Sequence, residues 1–380
     1  MNDQIKMPAS LSLVMIVRDE AKNIKQLLSG LAPISDEVIV VDTGSTDDTV
    51  TLATGEGALV FNFPWCDDFA AARNFGLVKA SKSWILAIDA DERIAPADFP
   101  VIKSAIQTGT PKGFFFTQRN YTNLTNHPEW RPNNQLHPEL EEGTQGFIEA
   151  HQIRLFPNLP ELRYEGCIHE TVHGFCKAAI KKEHLEVTIH HFGHIQSGAA
   201  ANRRNDLYRR LTREKLRQNP NDGEARYQMA IRHIEEGFPD QGRALLESFA
   251  AESSVDHPST TRAIIALGRI LLGEGKVEAA LEKFELAVQQ KPEWLLCWMD
   301  TISALVNSGR WSDAAKFLAG ARMIFPNEAL LLRFECRLLI ATGSYLQAAE
   351  KADQLARQYP HWPGARELAQ KCRKIVEKDQ

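Results

Sequence analysis

Three kinds of marker return at one interval in the C-terminal part of this 380-residue chain, and that interval limits the fold more than any other feature. Gly275, Gly309 and Gly343 stand 34 residues apart, and so do Pro292, Pro326 and Pro360. The pairs Ala279-Ala280, Ala314-Ala315 and Ala348-Ala349 follow nearly the same spacing. Alanine lets paired helices approach closely, glycine permits the turn between them, and proline ends the pair. An earlier copy, with Pro220, Gly237 and Pro258, stands 38 residues from the next glycine and proline, which reads as a four-residue insertion. A repeat of this length buries its apolar face against its neighbours, so the pattern predicts a stacked array and not one closed core.

The period and its markers resemble the tetratricopeptide repeat. About four repeats fit between Pro220 and Pro360, closed by a polar helix from Gly364 to Lys378. Upstream the pattern is different. "LSLVMIV", "EVIVVD", "ALVFNF" and "WILAID" are apolar, Val- and Ile-rich runs separated by the amphipathic stretches Glu20 to Leu28, Asp47 to Thr54 and Phe69 to Lys79. That alternation predicts parallel βα units and a doubly wound, Rossmann-like α/β domain over residues 1–198, followed by an all-α solenoid over 199–380. In such sheets ligands bind beyond the carboxyl ends of the strands, and three polar clusters fall there: "RDE", "DTGSTDD" and "DADE".

Composition narrows the partners. A net charge of −5 gives no basic footprint for nucleic acid. "MNDQIKMPAS" lacks the apolar core of a signal peptide, and no run approaches the ~20 apolar residues of a membrane-spanning helix, so a cytoplasmic protein without a transmembrane segment is expected. The six cysteines, at 66, 167, 176, 297, 336 and 372, contain no C-x-x-C and are expected to be reduced.

"WILAIDADERI" then raises a question of charge. An apolar run leads directly into Asp89, Asp91 and Glu92, and carboxylates are seldom buried without a compensating cation. Two carboxylates in D-x-D spacing can direct oxygens at one divalent ion that keeps positions open for phosphate and water, an arrangement suited to a nucleoside diphosphate. The plainer alternative is an acidic cap on the next helix.

The stretches "LVMIVRDEAKNI", "DEVIVVDTGSTDDT", "WCDDFAAARNFGL" and "WILAIDADE", in that order, resemble the inverting family-2 glycosyltransferases of the GT-A fold over roughly residues 10 to 195. With the helical repeats, the chain is similar to a bacterial subgroup that includes peptide S-glycosyltransferases. The resemblance implies a nucleotide-diphosphate sugar as donor, UDP-sugar first among them, and Mg²⁺ or Mn²⁺ as cofactor. It implies that Asp42, with Arg18 and Glu20, lines the nucleotide pocket, while Thr43 stands where the family has a second aspartate. Arg73 and Asn74 match the family's pair beside the nucleotide, where a guanidinium can meet the diphosphate; Arg73 pairing with Asp67 or Asp68 is the alternative. Asp89 would face the ribose or sugar and share the metal with Asp91.

Seven of the 12 histidines lie between His151 and His194. "IHE" resembles the family's late motif, which makes Glu170 the candidate general base for the acceptor's proton; a salt bridge to a neighbour such as Arg154 is the alternative. A late histidine can complete the metal site, with His191 the candidate and His169 its rival. Cys167, His169, His173 and Cys176 can be written as a compact zinc cluster, but four ligands within ten residues lack the two-knuckle spacing of structural zinc. The functional expectation is sugar transfer to a protein or peptide presented by the repeats. A lipopolysaccharide or other saccharide acceptor, an inactive nucleotide-sugar-binding scaffold, and repeats that serve a homodimer are the competing readings.

Overall fold

A computed structural model describes residues 8–107, 110–123, 131–133, 138–141, 143–193, 199–252, 258–326, 328–358 and 365–379. Three sequence markers, His194, Pro360 and Gly364, lie outside the described residues. The chain divides into two compact units, residues 1–131 with 137–211, and residues 132–136 with 212–380.

In the first unit the apolar runs are strands and the amphipathic stretches are helices. The order begins β1 (Leu11–Val17), α1 (Ile24–Leu31), β2 (Glu37–Asp42), α2 (Thr49–Gly55), β3 (Leu59–Asn62), α3 (Phe69–Lys79) and β4 (Trp84–Ala87). It continues with β5 (Glu92–Ile94), α4 (Phe99–Gln107), β6 (Lys112–Thr122), β7 (Arg131–Pro132), α5 (Pro138–Glu141), β8 (Gly146–Pro157), β9 (Arg163–Glu165), β10 (Thr171–His173) and β11 (Lys181–His191). The main sheet follows the path β3-β2-β1-β4-β8-β6-β11-β5, and β9 and β10 form a separate antiparallel pair.

β1 lies parallel to β2 and β4, with Val17 opposite Asp42 and Val14 opposite Ala87, and β2 lies parallel to β3. This is the wound pattern read from the sequence. It stops at β4. β8 runs antiparallel to both β4 and β6, and β11 is parallel to β6 but antiparallel to β5. The expectation of a parallel sheet is therefore corrected to a mixed one. Parallel neighbours need a crossover segment, usually a helix. β6 and β8, 11 and 12 residues long, instead pair antiparallel along most of their length, from Phe114–Leu155 to Thr122–Gly146.

Both faces of the sheet are covered, which is why β1 reads as a continuous apolar run. Leu13, Met15, Leu27, Ile102, Phe116 and Ile189 form one core on the α1 and α4 side. Val14, Val41, Leu77, Ile85, Phe156 and Tyr164 form the other, on the α3 and β9–β10 side. Among the described residues no helix is long and apolar enough to cross a membrane.

α6 (Ala199–Gln218) opens the helical part of the chain, and its residues through Leu211 belong to the first unit. The second unit contains four helix pairs, α7 (Gly223–Glu235) with α8 (Pro239–Glu252), α9 (Pro258–Gly273) with α10 (Val277–Gln290), α11 (Leu295–Asn307) with α12 (Trp311–Ile324), and α13 (Ala329–Ala341) with α14 (Tyr345–Gln358), then α15 (Ala365–Asp379). Gly237, Gly275, Gly309 and Gly343 each turn a pair at φ of 87°, 77°, 74° and 76°, a region glycine enters without steric cost. Each alanine pair puts a residue at the crossing: Ala280, Ala314 and Ala348 are 0%, 1% and 0% exposed, and Ala349 is buried as well. The longer first interval is placed mainly in α9, which has 16 residues where α11 has 13.

Candidate active site

The carboxyl ends of β1, β2 and β4 present the three polar clusters at one edge, and hydrogen bonds lace the first two together. Asp19 donates its amide to Ser45 Oγ at 3.0 Å and accepts from the Thr46 amide at 2.7 Å. The Glu20 amide donates to Thr49 Oγ1 at 2.7 Å. Arg18, at the end of β1, is exposed. Asp42 ends β2, and its carboxylate accepts from the Ser45 amide at 3.0 Å and the Gly44 amide at 3.3 Å. Thr43 donates its hydroxyl to the Val17 carbonyl at 2.9 Å, so the residue that departs from the family pattern ties β2 to β1. Burial pushes the Glu20 carboxyl up to about 7, with Asp91, Asp89 and Asp47 adding to the rise and a hydrogen bond from Asn23 opposing it.

α3 brings the next residues in. Asp68 caps it by accepting from the Ala71 amide at 2.9 Å, and Asp67 pairs with Arg210, so neither neighbour holds Arg73. Gly76 permits the close approach of the helix, since a Cβ there would meet Val14 at 2.8 Å and Val41 at 3.0 Å. Arg73 consequently reaches the strand ends. Its Nε donates to Glu170 Oε1 at 2.6 Å and its Nη2 to Asp89 Oδ1 at 3.0 Å, with the guanidinium 5.5 Å from the centre of the Tyr164 ring. Asn74 faces another way. Its Nδ2 donates to the Tyr164 carbonyl at 2.9 Å and its Oδ1 accepts from the Tyr164 amide at 2.8 Å, so this side chain clips α3 to β9 instead of facing the nucleotide.

The cation demanded by Asp89 and Glu92 is a second arginine. Arg154 Nη2 donates to Glu92 Oε1 at 2.6 Å, and its Nη1 lies 3.7 Å from Asp89 Oδ2. The Glu92 side chain is 0% exposed, and its other oxygen accepts from the Asp89 amide at 2.8 Å. Burial drives the Asp89 carboxyl upward, but Arg73 and then Arg154 outweigh it and hold the group below the usual carboxylate range. For Glu92 burial wins, and the carboxyl is pushed up to about 7 against the pull of Arg154. Asp89 is thus an anchor for two guanidiniums, and the salt bridge weighed for Glu170 is formed with Arg73 in place of Arg154.

Removing Arg154 strands Glu92. Arg154→Met is expected to lower the stability of the first unit by about 3–5 kcal/mol. The loss should be greater at pH 8 than at pH 5, because at pH 5 Glu92 holds a proton with Arg154 or without it, whereas at pH 8 only the variant lacks the cation that lets the buried carboxylate ionise. Melting curves at the two pH values check this, and equal losses would count against it.

Asp91 and His191 form a separate pair. His191 Nε2 lies 3.3 Å from Asp91 Oδ2, brought there because β11 pairs with β5. Asn120 Nδ2 donates to the Ile148 carbonyl at 3.2 Å, which turns its Oδ1 toward His191 Nδ1 at 2.7 Å. Nδ1 therefore carries the proton, and Nε2 is the nitrogen directed at Asp91. Burial disfavours a charged imidazole, yet the hydrogen bond and charge of Asp91 prevail and raise the His191 pKa above its ordinary value. A Cβ on Gly193 would lie 2.5 Å from Asp91 Oδ2 and 2.7 Å from His191 Nε2, so glycine keeps a space open against both donor atoms. Two donors on one open space fit a shared divalent cation. Among the described residues no three His, Cys, Asp or Glu side chains converge as a ready-made cage. His169 stands elsewhere, its ring edge-on to Tyr208 at 6.3 Å. His173 Nε2 is 2.8 Å from Thr171 Oγ1, and Cys176 is exposed.

Sequence reasoning did not find Gln118, Asn120 or Gly193. Gln118 Oε1 accepts from Arg154 at 3.1 Å, and its Nε2 donates to Asn120 Oδ1 at 3.0 Å, joining the arginine network to the histidine. Their signal was alternation: the polar residues 118 and 120 lie two apart and continue the strand face that Phe114 and Phe116 begin.

Residues 12–187 match the family "Glycosyl transferase family 2". The chain is 30% identical over 293 residues to a TPR repeat-containing protein of Synechococcus elongatus, covering 75% of this chain and 58% of that one. An uncharacterized glycosyltransferase of Rickettsia bellii is 39% identical over 85 residues, 22% of this chain and 29% of that one. The SPbeta prophage-derived glycosyltransferase SunS of Bacillus subtilis is 38% identical over 85 residues, 20% of this chain and 19% of that one. The chain therefore spans 58% or less of the length of these curated relatives. Residues 12–187 of this chain thus form a family-2 glycosyltransferase domain with an α/β fold, and it is followed by tetratricopeptide-type helical repeats.

Proposed function

We propose that this chain transfers a sugar, with inversion, from a nucleotide-diphosphate donor to a protein or peptide acceptor, in a reaction that depends on Mg²⁺ or Mn²⁺. In this reading residues 1–198 carry the chemistry and residues 199–380 recruit the acceptor. The observation that carries it is the Asp91–His191 pair with Gly193 open beside it, at the strand edge that also holds Arg73, Asp89 and Glu170.

Asp91 and His191 would hold the cation, whose Lewis acidity neutralises the departing diphosphate. Arg18, Glu20 and Asp42 border the nucleotide. Arg73 is shared between Asp89 and Glu170, and an arriving diphosphate competes for the same guanidinium. Glu170, released from it, takes the proton of the acceptor's O–H or S–H as that atom attacks the anomeric carbon. The bond from that carbon to the diphosphate oxygen breaks, and its electron pair leaves with the diphosphate, beside Arg73.

The Glu170–Arg73 bond also supports a second reading, a scaffold that binds nucleotide sugar and holds its base closed. Thermal-shift screening of nucleotide sugars with and without Mn²⁺, followed by donor-consumption assays, separates the two. A melting temperature raised only by donor and Mn²⁺ together, with turnover, is the expected result; binding without turnover of any donor favours the scaffold, and no binding sinks both.

The proton inventory gives a further expectation. Cation binding must displace the proton that Asp91 favours on His191, and it favours the ionised form of Glu20, which otherwise keeps a proton up to about 7. Affinity for Mn²⁺ with donor should therefore rise with pH between about 6 and 8, by up to about tenfold per unit for each proton released. Titration calorimetry across that range checks it, and a flat profile contradicts it.

A further inference from the structure

Helix α6 is absent from every motif discussed above, yet its residues in the first unit touch both the segment that leads into α3, the helix of Arg73, and the loop that carries Glu170. Arg210 makes a bidentate contact with Asp67, Nη1 to Oδ2 at 2.6 Å and Nη2 to Oδ1 at 2.7 Å, and Trp65 Nε1 donates to the same carboxylate at 2.8 Å. Two residues earlier, the Tyr208 ring lies edge-on to Phe69 at 5.8 Å and to His169 at 6.3 Å. Phe69 in turn packs on Trp65 at 4.8 Å. The loops are also joined directly, because the Phe69 amide donates to the Cys167 carbonyl at 3.0 Å.

The backbone gives an independent reason to single out these contacts. Asp67 and His169 have φ of 62° and 52°, the left-handed region that residues other than glycine occupy only when surrounding contacts hold them there. Each is a residue that α6 touches. Asp67 immediately precedes the cap of α3, the helix that bears Arg73, and His169 immediately precedes Glu170.

We propose that Tyr208 and Arg210 are positioning residues: α6 is a brace that holds both loops in their left-handed turns and so fixes Glu170 against Arg73. The role of Glu170 as base rests on the function proposed above; the bracing of the loops does not. His169 then works through its backbone turn and its ring contact with Tyr208.

Two readouts on the full chain test this. Hydrogen–deuterium exchange of segments 65–70 and 166–170 reads the brace without any need for turnover. Tyr208→Ala should speed exchange at the Phe69 amide by about tenfold or more, while Tyr208→Phe, which keeps the ring, should leave it unchanged. Arg210→Ala should loosen 65–70 first. Kinetics then read positioning. Tyr208→Ala should lower kcat for transfer about tenfold with donor KM within about twofold, and Tyr208→Phe should restore it. Unaltered exchange in both alanine variants overturns the brace. Faster exchange with unaltered kcat overturns the positioning of Glu170. A wild-type chain that turns over no donor counts against the base assignment alone, and exchange still decides whether α6 holds the loops.

Discussion

Asp91→Asn is expected to abolish the contribution of Mn²⁺ to donor binding, weakening it by about 100-fold or more, while leaving the melting temperature of the ligand-free protein nearly unchanged. The carboxylate is one of the two side-chain donors on the space that Gly193 keeps clear, and it brings the negative charge that the imidazole cannot supply. Its neighbours are differently placed. Asp89 is held by Arg73 and Arg154, and Glu92 lies beneath them with Arg154 as its partner. The same substitution at position 89 should therefore disturb Arg73 and the fold together, whereas at 91 the effect is confined to the ligand. Calorimetric titration of donor with and without Mn²⁺ decides it; an Asp91→Asn variant that still gains affinity on adding Mn²⁺ would remove Asp91 as a ligand.

Glu170→Gln should act on the rate. The amide keeps the shape and can still accept from Arg73 Nε, but it cannot take a proton, so transfer should fall by ~10²-fold or more with donor affinity within a few fold. Arg73 loses a charged partner in this variant and becomes more available to the diphosphate, so donor affinity should move up if it moves at all. Single-turnover transfer with donor in excess separates the two quantities. Transfer at the wild-type rate would place the base elsewhere.

Much of this was legible in the sequence because it is local. The repeats announce themselves through Gly275, Gly309 and Gly343, whose turns depend on residues a few positions away. The edge clusters after β1, β2 and β4 follow from strands that end where polar residues begin. What could not be read is what arrives from a distance. Arg154 comes from β8, and nothing near "DADE" indicates that a buried guanidinium will sit under it. The antiparallel return of β8 and the placement of β11 beside β5 decide that Asp91 meets His191 and that His169 does not stand there. Asn74 was misread for the opposite reason: its neighbour Arg73 does reach the site, but one step along a helix turns a side chain by about 100°, here toward the backbone of β9.

The pairing of β5 with β11 also sets an order of events during synthesis. Asp91 leaves the ribosome about a hundred residues before His191, a delay of roughly 5–20 s at typical elongation rates of about 5–20 residues per second. For roughly the first two thirds of that time β4, buried along its whole length in the finished sheet, waits for β8, and the acidic turn behind it has Arg73 but neither Arg154 nor the histidine. A nascent chain halted in this window displays an open apolar strand edge beside carboxylates that lack Arg154, a form that invites chaperones, and the proposed Asp91–His191 site is not yet assembled. Translation through the β11 codons, after β8 has already covered the β4 edge, is thus the moment at which the proposed Asp91–His191 site is completed.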